Sequence, residues 1–126
     1  MREKFSSGAP WEDVVGYSRA VRVGPAVWVA GTTATVDGEV VGVGDAYEQA
    51  RVAFGIALDG VRAAGLDTAD VVRTRMFVAD IADYAEIARA HSELFDDVRP
   101  VATMVQVSGF AHPDHLVEVE LDAYAV

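Results

Sequence analysis

Apolar and polar residues alternate along most of the chain with the period of two that β-strands show. The alternation predicts strands near residues 17–23, 27–30, 32–36, 39–41, 72–78, 101–107 and 116–125. Asp37 and Gly38 predict a hairpin turn, because such a pair readily adopts the positive φ angles of a tight turn. The segment Val27–Ala30 is short and wholly apolar, which is typical of a buried central strand.

Two segments instead have the three-to-four-residue spacing of amphipathic helices. The first begins after Asp45, which forms a potential capping box with Glu48, and ends before Gly65. The second begins near residues 80–83, and its apolar stripe comprises Tyr84, Ile87, Ala88, His91, Leu94 and Phe95. Pro100 should stop it, because proline disfavours helical geometry in the preceding residue. The segment Ser6–Pro10 is predicted to be irregular.

This order of elements predicts an α+β fold, with one mixed β-sheet carrying two helices on one face. Residues 1–126 are interpreted as a single domain, because no linker or repeat interrupts them. The other face of the sheet should then expose Trp28, Met76 or Met104 to water. Because a large exposed apolar face favours association, we expect the chain to assemble with copies of itself.

The composition narrows the possible partners and chemistry. The chain has no cysteine, which excludes disulfides and thiolate metal sites. Its formal charge of −10 and its single lysine, Lys4, argue against binding to nucleic acid or an anionic membrane. The start of the chain does not resemble a signal peptide, and no apolar run is long enough to span a membrane. The sequence therefore predicts a cytoplasmic protein.

The last predicted strand carries three carboxylates on one face. Glu118, Glu120 and Asp122 are two residues apart, which places their Cα atoms at roughly 7 Å intervals. Glu120, in the middle, is expected to be the most shielded, with a raised pKa that suits a general acid or base. The alternative is a solvated face with no chemical role.

The sequence alone does not decide whether the histidines have structural or functional roles. His91 lies on the apolar stripe of the second helix, where it is either a hydrogen-bonded core residue or a functional group. His112 and His115 flank Asp114 in a loop, but metal sites usually need three or four well-placed ligands. No phosphate-binding loop or serine nucleophile motif is present, so no cofactor and no metal are expected.

Several segments, in this order and spacing, resemble the reactive-intermediate deaminase family, RidA/YjgF, also called L-PSP. The resemblance rests on Tyr17, Val27–Gly31, Ala64–Leu66, Thr74–Asp80, Arg99–Pro100 and Glu118–Ala123. It implies a chorismate-mutase-like fold of the bacillus type and a homotrimer with small-molecule pockets between subunits. It also implies hydrolysis of reactive enamines and imines without a cofactor or metal.

The resemblance also assigns roles to individual residues. Glu120 matches the glutamate that positions the attacking water, and Tyr17 matches the tyrosine that closes the pocket. Gly31 matches a glycine near the ligand, and we include the adjacent Thr32 among the substrate-binding residues. Phe110 and Thr103 are expected to complete a mostly apolar site together with His91 and Met104.

The sequence departs from the family where the substrate carboxylate should bind. Ala102 stands where these deaminases carry an arginine, Met104 replaces a cysteine, and Ala88 replaces an asparagine. An alanine offers no hydrogen-bond donor, so Glu120 is expected to face a pocket without a cation and to act on an uncharged or weakly anionic substrate. Arg99 is close in sequence and either reaches the pocket or lies in solvent.

Three functions remain open at this point. The first is a deaminase-like hydrolase of an unstable imine or enamine. The second is a non-catalytic trimer that binds a small molecule, which the missing arginine favours. The third is an endoribonuclease, an activity sometimes attributed to this family, and the negative charge of the chain disfavours it.

Overall fold

The computed structural model describes residues 1–126. Its eight strands are β1 (Arg2–Phe5), β2 (Ala20–Val23), β3 (Ala26–Thr32), β4 (Thr35–Val36), β5 (Glu39–Val40), β6 (Val71–Val78), β7 (Val101–Gln106) and β8 (Val117–Tyr124). Its three α-helices are α1 (Pro10–Val15), α2 (Ala46–Ala63) and α3 (Tyr84–Phe95). Short 3₁₀ turns precede β6 and α3.

Six strands form one mixed sheet in the order β1-β2-β3-β8-β6-β7, in which only β6 and β7 are parallel neighbours. Strands β4 and β5 form a separate hairpin around the predicted turn. Helices α2 and α3 pack against each other, and α2 covers β3 and β8. This arrangement confirms the predicted α+β fold with a mixed sheet, while β1 and α1 were not predicted.

The core lies between the two long helices and the sheet. Strand β8 buries every second residue from Val117 to Ala123, and Phe54 and Phe95 fill the space beneath the helices. The Asp45 side chain accepts a hydrogen bond from the Glu48 backbone N–H at 3.0 Å, as the predicted cap requires. No helix combines the length and apolar character that a membrane span requires.

Two expectations about the sheet faces were wrong. A register shift between Val71 and Arg73 buries Val71 and leaves Val72 48% exposed, although simple alternation places Val72 with Thr74. Met76 and Met104 belong to the helix-covered side, and Met76 is only 4% exposed. Trp28, as predicted, lies on the open face of the sheet and is 48% exposed.

Helix α3 ends four residues earlier than the proline suggested. Arg99 adopts a left-handed φ of 55°, and its guanidinium donates to the Asp96 carbonyl at 2.8 Å and to the Asp96 carboxylate at 2.9 Å. With 78% of its side chain exposed, Arg99 caps the helix end from the solvent side. It therefore contributes no cation to an interior pocket of the protomer.

Candidate functional site

A β-bulge lies opposite Glu120, in the middle of the sheet. Val29 pairs with Leu121, and Thr32 pairs with Val119, so two residues of β3 stand against the single residue Glu120 of β8. The two bulged residues are Ala30 and Gly31, one more than the partner strand has at this point. Bulges of this kind interrupt the ladder, bend the strand and are frequent beside active sites.

A buried arginine holds this bulge in place. The Arg19 guanidinium donates to the carbonyls of Ala30 at 3.3 Å and Gly31 at 3.1 Å, and also to the Thr32 hydroxyl. Arg19 is 9% exposed, and its Nε has no hydrogen-bond partner. Arg19 falls in the alternating segment 17–23, whose pattern predicts a strand and gives no indication of this contact. A basic residue next to two apolar strands is the sequence feature that could have indicated a buried cation here.

The Thr32 side chain points into the core, where it is 2% exposed. Its hydroxyl accepts from Arg19 and donates to the Ala30 carbonyl at 2.8 Å. One partner is the arginine that holds the bulge and the other is a carbonyl of the bulge itself, so Thr32 supports the bulge and has little capacity to contact a ligand.

Tyr17 lies just before β2, beside Arg19. The guanidinium carbon of Arg19 is 5.8 Å from the centre of the Tyr17 ring. Tyr17 also lines an open cavity of about 410 Å³ together with Trp28 and Lys4. The structure therefore places the predicted pocket tyrosine near the bulge, whose residue Ala30 lines the same cavity.

The three acidic residues of β8 share the open face of the sheet, as predicted. The carboxyl group that contacts the bulge is that of Glu118, which packs against Gly31. Burial raises the pKa of Glu118, the nearby charge of Glu120 raises it further, and Arg19 offsets only part of the shift. We expected this effect at Glu120, the middle residue, but the contact with the bulge shields Glu118 instead.

Glu120 has a cation beside it, contrary to the expectation of an uncompensated acid. Arg75 is its direct cross-strand neighbour on β6, with Nη1 3.3 Å from a Glu120 carboxylate oxygen. The same nitrogen lies 3.4 Å from Asp122, and Arg73 lies 3.8 Å from Asp122. Because all these side chains are partly exposed, the pairs add little stability but hold the carboxylates in an ordered row.

A second, smaller cleft of about 190 Å³ lies between α3 and the edge strand β7. Its lining includes Tyr84, Ala88, His91, Ala102, Thr103 and Met104. The cleft thus brings together three of the predicted binding residues and all three positions where the sequence departs from the family pattern. It contains no carboxylate, arginine or lysine.

His91 is the imidazole that lines this cleft. Its Nε2 is 2.8 Å from the hydroxyl of the buried Thr74, and its ring packs 5.5 Å from Phe54 and 4.8 Å from Phe95. Burial lowers the pKa of His91, so the ring is neutral at pH 7. Its Nδ1 makes no hydrogen bond within the protomer and is not among the buried unpartnered atoms.

The predicted site residues therefore form two groups in one protomer. Tyr17, Gly31 and Glu120 lie around the bulge, whereas His91 and Met104 lie in the cleft beside α3. Thr103 is the cleft residue that lies nearest to the first group. It pairs with Arg75, the cross-strand neighbour of Glu120.

Phe110 follows β7 in a loop and lines neither cavity. The other loop histidines have local partners: His112 accepts from the Asp114 backbone N–H at 3.0 Å, and His115 lies 3.0 Å from the Thr35 hydroxyl. No cluster of three or more potential ligands is positioned to hold a metal ion.

Comparison with known proteins gives a consistent picture. The family model described as Endoribonuclease L-PSP matches residues 8–125. An uncharacterised protein of Streptomyces coelicolor is 47% identical over 121 residues, which cover 96% of this chain and 90% of that protein. A protein of Acinetobacter baylyi, described as the 3-aminoacrylate deaminase RutC, is 37% identical over 81 residues, which cover 64% of each protein.

Among solved structures, a protein of Mycobacterium tuberculosis has the same fold. It is described as a member of the highly conserved YjgF/YER057c/UK114 family, and it superposes with a TM-score of 0.90 at 44% identity. The alignment covers 99% of this chain and 100% of that one.

Proposed function

This chain belongs to the RidA/YjgF/L-PSP family, since the family model spans residues 8–125, and on that premise we propose that it hydrolyses small reactive imines or enamines without a cofactor. The main support is the bulge opposite Glu120, which places two carboxyl groups beside the bulged backbone at the open face. A relative described as a 3-aminoacrylate deaminase supports the same reaction class.

In this proposal Glu120 orients and activates the attacking water. The Arg75 guanidinium lies 3.3 Å from one carboxylate oxygen of Glu120 and orients the group, whose oxygens can accept a hydrogen bond from water. The row of acidic residues Glu118, Glu120 and Asp122 also favours the positive charge that develops on the imine nitrogen as it is protonated, because carboxylates attract that charge. Tyr17 lies next to the bulge and would close the site over the substrate.

The cleft beside α3 would hold the rest of the substrate. It has no cation at Ala102 to grip a carboxylate, and it presents a neutral His91 and the Thr103 hydroxyl among apolar side chains. Binding a fully anionic substrate there would leave its carboxylate desolvated and unpaired, which is costly. We therefore propose an uncharged or weakly anionic substrate.

The proposal includes a homotrimer in which the two groups of residues meet across subunit boundaries. The open face of the sheet exposes Trp28 (48%) on β3 and Val101 (57%) and Val105 (44%) on β7, apolar side chains that assembly would remove from water. Sedimentation should show a species of three times the 13.4 kDa chain, whereas a single 13.4 kDa species at micromolar concentration would contradict this assembly.

Two other functions lead to different observations. A non-catalytic binding protein is favoured by Ala102 and would respond to ligands without forming product. An endoribonuclease is suggested by the description of the family model, but the chain carries a net charge of −10 and an acidic row beside the bulge, both of which repel phosphates. A cytoplasmic location remains a prediction.

The deciding experiment measures ammonia and carbonyl product from 2-aminoacrylate generated in situ and from an uncharged imine. The proposal predicts accelerated release from both, with the larger acceleration for the uncharged imine. Thermal shifts without product would support the binding protein instead. Specific cleavage of RNA by the highly purified protein, without imine hydrolysis, would overturn the proposal in favour of the nuclease.

A further inference from the structure

Resting on the proposed function, we infer that Glu118 is a second catalytic carboxyl group, which donates the proton to the substrate nitrogen while Glu120 accepts a proton from water. Among the carboxyl groups of β8, the resemblance to the family assigns a role only to Glu120. The geometry around the bulge supports different roles for Glu118 and Glu120.

The first observation is the contact between Glu118 and the bulge. A Cβ atom added at Gly31 would lie 2.8 Å from Oε2 of Glu118 and 3.1 Å from its carboxyl carbon. Gly31 is not in the left-handed region of φ, so its backbone conformation does not require glycine. The missing side chain instead provides the space into which the Glu118 carboxyl group fits.

The second observation is the contrast between the two carboxyl groups. Glu120 contacts the Arg75 guanidinium, whereas Glu118 makes no ion pair or side-chain hydrogen bond within the protomer. The cross-strand neighbour of Glu118 on β6 is Phe77, which carries no charge. Neighbouring carboxyl groups in such different environments are typical of acid and base pairs in active sites.

The charged groups around Glu118 reinforce this contrast. Glu120 on the same strand disfavours a second negative charge, and the buried Arg19 behind the bulge compensates only partly. Glu118 therefore has a raised pKa, which is the direction that a proton donor needs, while Glu120 is held beside the Arg75 guanidinium.

The proposed reaction conserves protons and electrons. A water oxygen bonds to the imine carbon, Glu120 takes a proton from that water, and the C=N π pair moves to nitrogen, which takes the proton of Glu118. In the second step the new hydroxyl returns a proton to Glu118 and Glu120 protonates the amine. The C–N bond then breaks with its electron pair on nitrogen, giving a carbonyl product and ammonia.

The test compares the pH dependence of kcat for wild type, Glu118→Gln and Glu120→Gln on one imine substrate. A base that must be ionised causes the acidic limb of the profile, and an acid that must be protonated causes the alkaline limb. We expect Glu118→Gln to lose about 100-fold in kcat and to abolish the alkaline limb. Glu120→Gln should abolish the acidic limb instead.

Glu118→Asp keeps the acid and should restore part of the activity, which separates proton donation from a structural role. An active wild type with an unchanged profile in Glu118→Gln would overturn this inference alone. Loss of activity in Glu118→Gln with the alkaline limb retained would also overturn it. A wild type inactive on every imine would overturn the proposed function and this inference together.

Discussion

The Glu118 carboxyl group fills the space that a side chain at position 31 would need, because a Cβ at Gly31 would lie 2.8 Å from its Oε2. Such a separation is too short for non-bonded atoms, so the two positions are sterically coupled. Gly31 belongs to the bulge that faces Glu120, and the coupling therefore links the backbone of β3 to both carboxyl groups of β8.

Gly31→Ala should reduce turnover more than stability. The new methyl group displaces the end of a flexible side chain, which changes the free energy of unfolding by less than about 1 kcal/mol. Moving a catalytic carboxyl group by an ångström costs up to about 100-fold in kcat. Steady-state kinetics and denaturant unfolding on the same sample measure both effects.

Gly55→Ala is the matched control. Gly55 lies within α2, and a Cβ there meets nothing within 4 Å. This substitution should stabilise the protein by about 0.5–1 kcal/mol, because alanine loses less conformational freedom in a helix, and it should leave kcat unchanged. Equal kcat losses in the two variants would contradict the coupling between Gly31 and Glu118.

Arg19→Met should destabilise the fold by about 2–4 kcal/mol, because it removes charge-assisted hydrogen bonds to Ala30 and Gly31 and leaves those groups without their partner. Chemical denaturation checks the value. Arg51→Met, which removes an exposed pair with Glu48, should change stability by less than about 1 kcal/mol. If Arg19→Met were no more harmful than Arg51→Met, the bulge would not depend on Arg19.

The pH dependence of stability should report the burial of His91. Its pKa is lowered in the folded state, so the unfolded chain binds a proton more readily as the pH falls below about 6.5. The stabilising contribution is fully present above that pH and is lost as the pH falls toward the folded pKa. Unfolding free energies between pH 7.5 and 5.5 should therefore decrease on acidification.

The control for this measurement is the double variant His91→Phe/Thr74→Val, which removes the ring and the buried hydroxyl that bonds to it. Two other groups titrate in both proteins: the lowered pKa of His115 acts in the same direction, and the raised pKa of Glu118 acts in the opposite one. The control should lose less stability on acidification than wild type. An identical slope would argue against the burial of His91.

Local patterns in the sequence predicted the features that depend on neighbouring residues. The Asp45 cap and the shared face of Glu118 and Glu120 both follow from the spacing of residues along one element. The cleft containing His91 was predicted only in outline, from a helical stripe and a resemblance, and the structure brings His91, Thr103 and Met104 together in it.

The features that sequence reasoning missed depend on contacts between distant segments. Arg75 meets Glu120 because β6 and β8 pair in one particular register, which alternation alone does not fix. The bulge at Gly31 depends on the pairing of β3 with β8 and on Arg19, which lies just before β2. These contacts moved the expected shielding from Glu120 to Glu118 and placed a cation beside Glu120.

The most direct test of the account is ammonia release from an imine substrate by Glu120→Gln, measured beside wild type and Asp59→Asn, an exposed carboxylate on α2. We predict a loss of at least about 100-fold in kcat for Glu120→Gln, with an unchanged melting temperature and oligomeric state. Asp59→Asn should match wild type. Full activity in Glu120→Gln would contradict the proposed hydrolysis at the bulge.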